Sequence, residues 1–320
     1  MPKLSVLIAQ YNTIKYLPRF YECLRKQQFA DYELLVLDDI STDGSFEFAQ
    51  KLSVNDKRIK VFRASEKMLP DKARAFLFKK AQGKYVLSVD SDDLISENYF
   101  SNLIESAEKN DSDIVVSTNC RIDENDKKRT KKQFPFNKNN HLLTEKERLS
   151  ILKCKYGGWN RMCKKDFLIK NGYDYSQAEL PLFIMQFYAN TKVSTAINGT
   201  YFYRMRGGSI STSKVPQRIA DYNALEPLDW CSNSQIIEKR YPVYTYVYRM
   251  ILPYLFYKKS YIPKYKISDD IRKVKKHLDL SLGKILHYSV YLNFKDFLIT
   301  IIFAIRLDFI PKIFIKKFRS

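Results

Sequence analysis

The sequence predicts an α/β fold, with a mostly parallel sheet carrying helices on both faces and a helical C-terminal appendage. Three observations predict it. Apolar runs alternate with stretches at helical spacing through the first ninety-odd residues, as in successive strand–helix–strand units. Several of those runs end in acidic or polar residues, as strands do when their carboxyl ends face a ligand cleft. Past about residue 219 the alternation stops, and the chain becomes rich in Tyr, Lys, Ile and Phe, divided by Pro253, Pro263 and Pro311.

In chain order, residues 4–9 are a continuous apolar run, the pattern of a strand buried on both faces. Residues 18–28 place Phe20, Tyr21 and Leu24 at helical spacing. Residues 33–37 form a second buried strand ending in Asp38 and Asp39. Residues 45–52 read as a helix packing through Phe46, Phe48, Ala49 and Leu52, and 59–62 as a third strand. A third helix spans 72–81, closed by Gly83. The fourth strand, 85–89, runs directly into Asp90, Ser91, Asp92 and Asp93. Residues 123–140 are polar and basic and read as a mobile loop. Short helices follow at 164–170 and 182–189, then a strand at 201–206 and the pair Gly207–Gly208.

The chain has 320 residues, of which 45% are hydrophobic, enough for a sizeable core. Abundant Tyr and Phe and only 9 Gly exclude a disordered composition. Five scattered cysteines, Cys23, Cys120, Cys154, Cys163 and Cys231, form no Cys-x-x-Cys pair, which reads as a reducing compartment. With no secretory pattern at the start, the expected location is cytoplasmic. The net charge of +20 points to an anionic neighbour: nucleic acid, an anionic membrane or a phosphate-bearing substrate. The longest apolar stretch of the C-terminal region, 297–305, is too short to cross a bilayer, which takes roughly 20 residues. Its flanks are basic, at Lys295, Arg306, Lys312, Lys316, Lys317 and Arg319. Two readings of it stay open: a helix lying on the inner face of an anionic membrane, or an apolar face packed on the main domain or on a second subunit.

The chemistry concentrates at the predicted rim. Three carboxylates within four residues repel one another, and repulsion drives their pKa values upward. A divalent cation relieves it, and hard carboxylate oxygens suit Mg²⁺ or Mn²⁺, which in turn can hold a diphosphate. Asp93 alone would serve as a helix cap, but a cap does not need three acids. Asp39, ending the second strand, can accept from ribose hydroxyls or a base N–H. The turn from Ala9 to Thr13 has no glycine, which argues against a dinucleotide fold and leaves the phosphates to be held through a cation.

These residues resemble the family-2 glycosyltransferases of the GT-A fold over about residues 3–211. Residues 4–12 are similar to the family's first strand and its Tyr-Asn, with Gln10 where Pro is usual. Residues 37–45 resemble its nucleotide-binding Asp-Gly-Ser-Thr-Asp stretch, with Ile40 in place of Gly. Lys72, Ala73 and Arg74 resemble its Ala-Arg-Asn, with Ala75 for Asn. Residues 83–93 resemble its Asp-x-Asp segment. The resemblance implies an inverting transferase using a nucleotide-sugar donor, UDP-linked above all. It implies donor contacts from Ala9, Tyr11, Asp39, Arg74, Asp90 and Ser91, with a Mn²⁺ or Mg²⁺ ion on Asp92. Glu179 falls where the family has its catalytic Asp, after Ala178 in place of Glu. The segment 201–211 resembles the family's Tyr-Arg and Ser-Ile-Ser, with Arg204 and Arg206 on one strand face suited to a leaving diphosphate. Trp159 is a weaker candidate for stacking on a sugar.

The expected division is a catalytic domain at 1–218, split into a nucleotide half (1–93) and an acceptor half (94–218), followed by a basic helical region at 219–320 able to adhere to membrane or to oligomerise. The acceptor implied is a glycan or lipid-linked glycan of cell-surface polysaccharide synthesis, such as capsule. A catalytically inactive relative that binds nucleotide sugar as a scaffold is one alternative, kept open by Gln10, Ile40, Ala75 and Ala178. A nucleic-acid-binding protein is another, but an acidic rim has no use there and no nucleic-acid partner is expected.

Overall fold

A computed structural model describes residues 1–130, 134, 136–151, 158–176 and 180–207, with 269, 270 and 272 further on. The chain divides into two compact units, 1–186 with 190–209, and 187–189 with 210–320. In the second, residues 269, 270 and 272 are helical and Arg272 pairs with Asp269 one turn away. The helical reading of the rest of 219–320 lies outside the described residues.

The first unit is built on eight strands and seven helices among the described residues. They run β1 (Leu4–Gln10), α1 (Leu17–Arg25), β2 (Tyr32–Asp38), α2 (Ser45–Asn55), β3 (Ile59–Arg63), α3 (Pro70–Lys80), β4 (Tyr85–Ser88), β5 (Leu94–Ile95), α4 (Tyr99–Asn110), β6 (Ile114–Ile122), α5 (Glu145–Ser150), β7 (Arg161–Lys164), α6 (Lys165–Lys170), α7 (Leu180–Met185) and β8 (Val193–Arg204). The strands form one sheet in the order β3-β2-β1-β4-β7-β6-β8-β5.

From β3 to β4 every pairing is parallel, as strand–helix alternation requires. The second half is mixed. β7 runs antiparallel to both β4 and β6, β8 is parallel to β6, and the short β5 is antiparallel to β8. The sheet is therefore parallel through its nucleotide half and mixed beyond it, in keeping with the mostly parallel sheet expected. Three strands absent from the sequence reading, β5, β6 and β7, take part in every antiparallel pairing. β1 and β2 are buried along nearly their whole length, and Leu4, Val6, Ile8, Leu34 and Val36 share one core with Phe20, Leu24 and Leu103.

Helix ends follow local chemistry. α1 and α3 each open with proline in the first turn, where a missing N–H costs nothing, and α3 closes on Lys79 and Lys80 beside its carbonyl end. α4 ends on Asp111, which adopts the left-handed conformation at φ 44°.

Gly83 ends the α3–β4 connection against the first strand. A Cβ there would lie 2.6 Å from the Ser5 nitrogen and 2.8 Å from the Leu4 carbonyl carbon, and the Gly83 N–H donates to Ser5 Oγ at 2.8 Å. Because the obstacle is backbone, no rotamer can relieve it. Gly83→Ala is expected to cost about 1–3 kcal/mol, the usual range for overpacking. Urea denaturation checks this, and an unchanged midpoint would show that β4 shifts freely.

The predicted mobile loop departs from expectation in its first part. Asp123 accepts from the N–H groups of Asn125 and Lys127, and Asp126 takes a left-handed φ of 64°. Arg129 then donates its N–H to the Arg121 carbonyl at 2.7 Å. Residues 123–130 thus form a hydrogen-bonded turn folded back on β6, because the Asp123 carboxylate satisfies the backbone that the turn exposes.

Candidate active site

The carboxyl ends of β1, β2 and β4 lie side by side, and the predicted rim residues sit on them. β1 and β2 are in register from Leu4 opposite Tyr32 to Gln10 opposite Asp38. Ala9 therefore lies beside Leu37, one residue before the acidic pair. Asp39 donates its N–H to the Gln10 carbonyl at 2.8 Å, which fixes the exit of β2 against that of β1. Asp38 is fully buried and accepts from Gln10 Nε2 at 3.1 Å and from the Ser41 N–H at 2.9 Å. Its role is to shape the turn. Asp39 reaches the rim, where its two oxygens meet the Met68 N–H and the Lys67 ammonium, each at 2.8 Å.

Ile40, which stands where the resembling family has Gly, carries φ 58°. A β-branched residue is rare in that region, so the backbone geometry that glycine would supply is kept here against a steric cost. Asn12, also left-handed at φ 48°, accepts from the Thr42 N–H through its side chain and donates its own N–H to Ser41 Oγ. The two rim turns are thereby stitched together.

The turn after β4 is the centre of the site. Ser91 is buried with its hydroxyl 3.1 Å from that of Thr13. Asp90 accepts from Arg74 Nη2 at 2.7 Å, and Arg74, itself largely buried on α3, also reaches Asp71. Asp92 accepts from Arg206 Nε at 2.5 Å. Burial first, then the neighbouring Asp90, push the Asp92 carboxyl above its ordinary value, and Arg206 pulls it back. Asp93 is buried and turned away from the rim. Its oxygens accept from the Tyr201 hydroxyl and the Arg204 N–H, both at 2.6 Å. Burial, with Asp92 and Asp90 close by, pushes it well above the carboxylate range. The chain continues into β5, so Asp93 is a strut of the turn and caps no helix.

The contacts of Asp92 and Asp93 come from the end of β8 and the residues just after it. The Tyr201 hydroxyl also accepts from the Asp90 N–H at 3.1 Å, and Arg204 Nε donates to the Asp92 carbonyl at 2.6 Å. Tyr201 is buried against Asp93, and burial foremost holds its phenol protonated, as a donor must be. Arg204 is buried too, and its Nη1 holds the carbonyls of Asp123 and Glu124 and the Asp126 carboxylate. Both guanidiniums lie over the Tyr16 ring, although β8 ends at Arg204 and Arg206 lies just past the strand expected to reach it, and only Arg206 is partly open to the rim. Trp159 stacks on Tyr201 at 4.5 Å and on Tyr203 at 5.4 Å, nearly parallel to each. The structure thus places Trp159 under the turn. Tyr201 is the residue the sequence reading missed, and its place three residues before Arg204 on the same strand was the available signal. Glu179 lies outside the described residues.

Tyr201→Phe leaves Asp93 with one donor fewer in a buried setting. A loss of about 1–3 kcal/mol is expected in chemical denaturation, since a buried acceptor then goes unpaired. Unchanged stability would mean that Arg204 alone holds the turn.

Two carboxylates, Asp90 and Asp92, therefore share one turn with their repulsion offset by arginines. Hard oxygens so placed fit a divalent cation. No group of three or more acidic, His or Cys ligands is preassembled among the described residues, so such an ion would draw on Asp92 and, from outside the chain, on a diphosphate. No helix among the described residues is long and apolar enough to cross a membrane.

The family model described as "Glycosyl transferase family 2" matches residues 5–172. Among characterised proteins, the chain is 33% identical over 123 residues to the glycosyltransferase GlyG of Streptococcus pneumoniae, covering 38% of this chain and 41% of that protein. It is 26% identical over 288 residues to the cholesterol galactosyltransferase of Borreliella burgdorferi, covering 84% and 78%. The crystal structure of Staphylococcus aureus TarS with UDP-GlcNAc superposes with a TM-score of 0.63 at 21% identity, over 93% of this chain and 90% of that one, a likeness of fold. TarS is a poly(ribitol-phosphate) β-N-acetylglucosaminyltransferase.

Proposed function

The chain belongs to glycosyl transferase family 2, and from that premise we propose that it moves a sugar from a UDP-sugar to a hydroxyl of a cell-surface glycan or lipid-linked acceptor, with inversion at the anomeric carbon. The observation that carries the reading is the Asp90–Asp93 turn. It presents two carboxylates at the carboxyl end of β4, on the same rim as Asp39 at the end of β2. A diphosphate needs cations there, and a ribose needs acceptors.

In this reading Asp39 accepts from the nucleoside, and Ala9 and Tyr11 border it. Asp92 holds a divalent cation, Mn²⁺ or Mg²⁺, which when bound supplies positive charge to the departing diphosphate. Arg206, which pairs with Asp92 at the rim, would offer its guanidinium to the diphosphate oxygens. Arg74 keeps Asp90 oriented. Glu179 takes the proton from the acceptor hydroxyl, whose oxygen forms the new bond to the anomeric carbon as the bond to the diphosphate breaks on the opposite face. The uridine diphosphate leaves with the bonding pair. Help from a general base is worth about 10²–10⁴ in rate.

Two relatives support the acceptor class. One is named for cholesterol and the other for poly(ribitol-phosphate), a lipid and a polyanion, each carrying free hydroxyls. The +20 charge of this chain suits a polyanionic acceptor or an anionic membrane surface. The region 219–320 is then the part that meets that surface, while 1–218 does the chemistry.

Thermal denaturation with UDP, GDP and a panel of UDP-sugars, each with Mn²⁺ and with EDTA, tests the reading. A metal-dependent rise in Tm for one UDP-sugar is expected. No shift with any nucleotide in the presence of metal would overturn it.

A further inference from the structure

We infer that Glu124 is a positioning residue for Arg206, tethering the chain just past β8 so that the guanidinium stays at the rim. The inference rests on the donor-site reading above, in which Arg206 meets the diphosphate. β8 ends at Arg204, and the Met205 N–H, donated to the Ile122 carbonyl at 2.8 Å, is the last bond of this segment to β6 among the described residues. Arg206 stands one residue past that bond and is followed by a glycine. One contact catches the chain on the far side. The Gly207 N–H donates to Glu124 Oε1 at 3.2 Å, and the other oxygen of Glu124 takes the Lys15 ammonium at 2.9 Å. Lys15 lies just before α1, so this carboxylate links the entry of α1 to the exit of β8.

The 123–126 turn keeps its shape by other means. Asp123 Oδ1 accepts from the N–H groups of Asn125 and Lys127, Arg204 Nη1 holds the carbonyls of Asp123 and Glu124, and Asp126 pairs with Arg204 and Arg19. None of these bonds uses the Glu124 side chain, which is nearly half exposed, so its substitution does not disturb the core. What the side chain adds is the link to Gly207. The Arg206 guanidinium is then bounded by the Tyr16 ring at 5.5 Å and the Asp92 carboxylate, on a backbone anchored one residue further along. A long side chain on a fraying strand end gives up backbone and rotamer freedom each time it meets a ligand. Fixing the backbone beforehand removes part of that cost. Charge alone predicts the opposite sign. Glu124 is an anion on the side of the site where a diphosphate is to be held, and losing it would also release Lys15. Electrostatics by itself would therefore tighten nucleotide binding when Glu124 is removed, so the direction of the effect separates the two roles.

The test compares wild type, Glu124→Ala and Glu124→Gln for binding of UDP and UMP with Mn²⁺ present, UDP by titration calorimetry and UMP by its displacement of UDP. The melting temperature of each protein without ligand is measured beside it. The amide keeps an oxygen for the Gly207 N–H, and the methyl keeps none. In Glu124→Ala, UDP is expected to bind about three- to tenfold more weakly, the worth of one hydrogen bond, while UMP, which has no diphosphate, changes little. Glu124→Gln should retain most of the wild-type UDP affinity, and the three unliganded melting temperatures should agree. Unchanged or tighter UDP binding in Glu124→Ala overturns the role of Glu124. So do equal losses in the two variants, equal losses of UDP and UMP, or an unliganded Glu124→Ala protein that melts several degrees early. Each of these leaves the donor site standing. Failure of wild type to bind UDP overturns the donor site itself, and the assignment with it.

Discussion

Asp92→Asn is expected to abolish the Mn²⁺-dependent shift with nucleotide sugar and to lower kcat/KM by roughly 10²–10³, the scale of losing one electrostatic contact to the leaving group. The fold should not suffer. Burial and Asp90 already push the Asp92 carboxyl above its ordinary value, so the charged form is disfavoured where it stands. An amide of the same shape removes the repulsion with Asp90, at the loss of the ion pair with Arg206. The apo protein should therefore melt at or near the wild-type temperature while losing its response to metal. A large drop in the apo melting temperature would instead make Asp92 a structural partner of Arg206. A wild-type rate would remove the cation from the mechanism.

Glu179→Gln separates binding from chemistry. The amide cannot take a proton, so kcat should fall by about 10²–10⁴. The UDP-sugar-induced rise in Tm should persist, because donor contacts are assigned to other residues. Equal losses in donor affinity and turnover would move Glu179 from base to binding. Native turnover would place the base elsewhere, and Asp174, the nearest acid upstream of it in sequence, would be the next to replace.

Most of the nucleotide half was legible because local and global signals agree there. β1 and β2 are apolar runs of the right length, α3 carries its own start at Pro70, and the acidic residues fall at strand ends, where topology places ligands. β6 was less visible. After Ile114, Val115 and Val116 it turns to Ser117, Thr118 and Asn119, all buried, and their polarity hides a central strand. Two of those side chains meet partners distant in sequence, Thr118 the Gly199 carbonyl and Ser117 the Tyr99 hydroxyl of α4, which no local pattern encodes. α4 was legible and passed over: Tyr99, Phe100, Leu103, Ile104 and Ala107 are spaced for one buried face. Within the site, the residue types on the rim were readable, but their division of labour was not. Arg204 closes β8 and Arg206 lies two residues beyond it, and one is spent on three main-chain carbonyls and one carboxylate, while the other meets the Asp92 carboxylate. That split depends on the 123–126 turn, eighty residues away in sequence.

The strand end that braces the carboxylate turn arrives late in the chain. Asp90, Asp92 and Asp93 find their partners at Tyr201, Arg204 and Arg206, between 108 and 114 positions further on. Loop closure over such spans must precede any gain from the contacts, so this part of the molecule forms after the local β1–β4 units. During synthesis, then, three acids stand together with no counter-charge from this strand until some hundred further residues have emerged. A ribosome-bound fragment ending before Tyr201 would have its nucleotide half assembled and its carboxylate turn unbraced. Truncation from the C-terminal side should therefore remove the site abruptly at the end of β8, not by degrees.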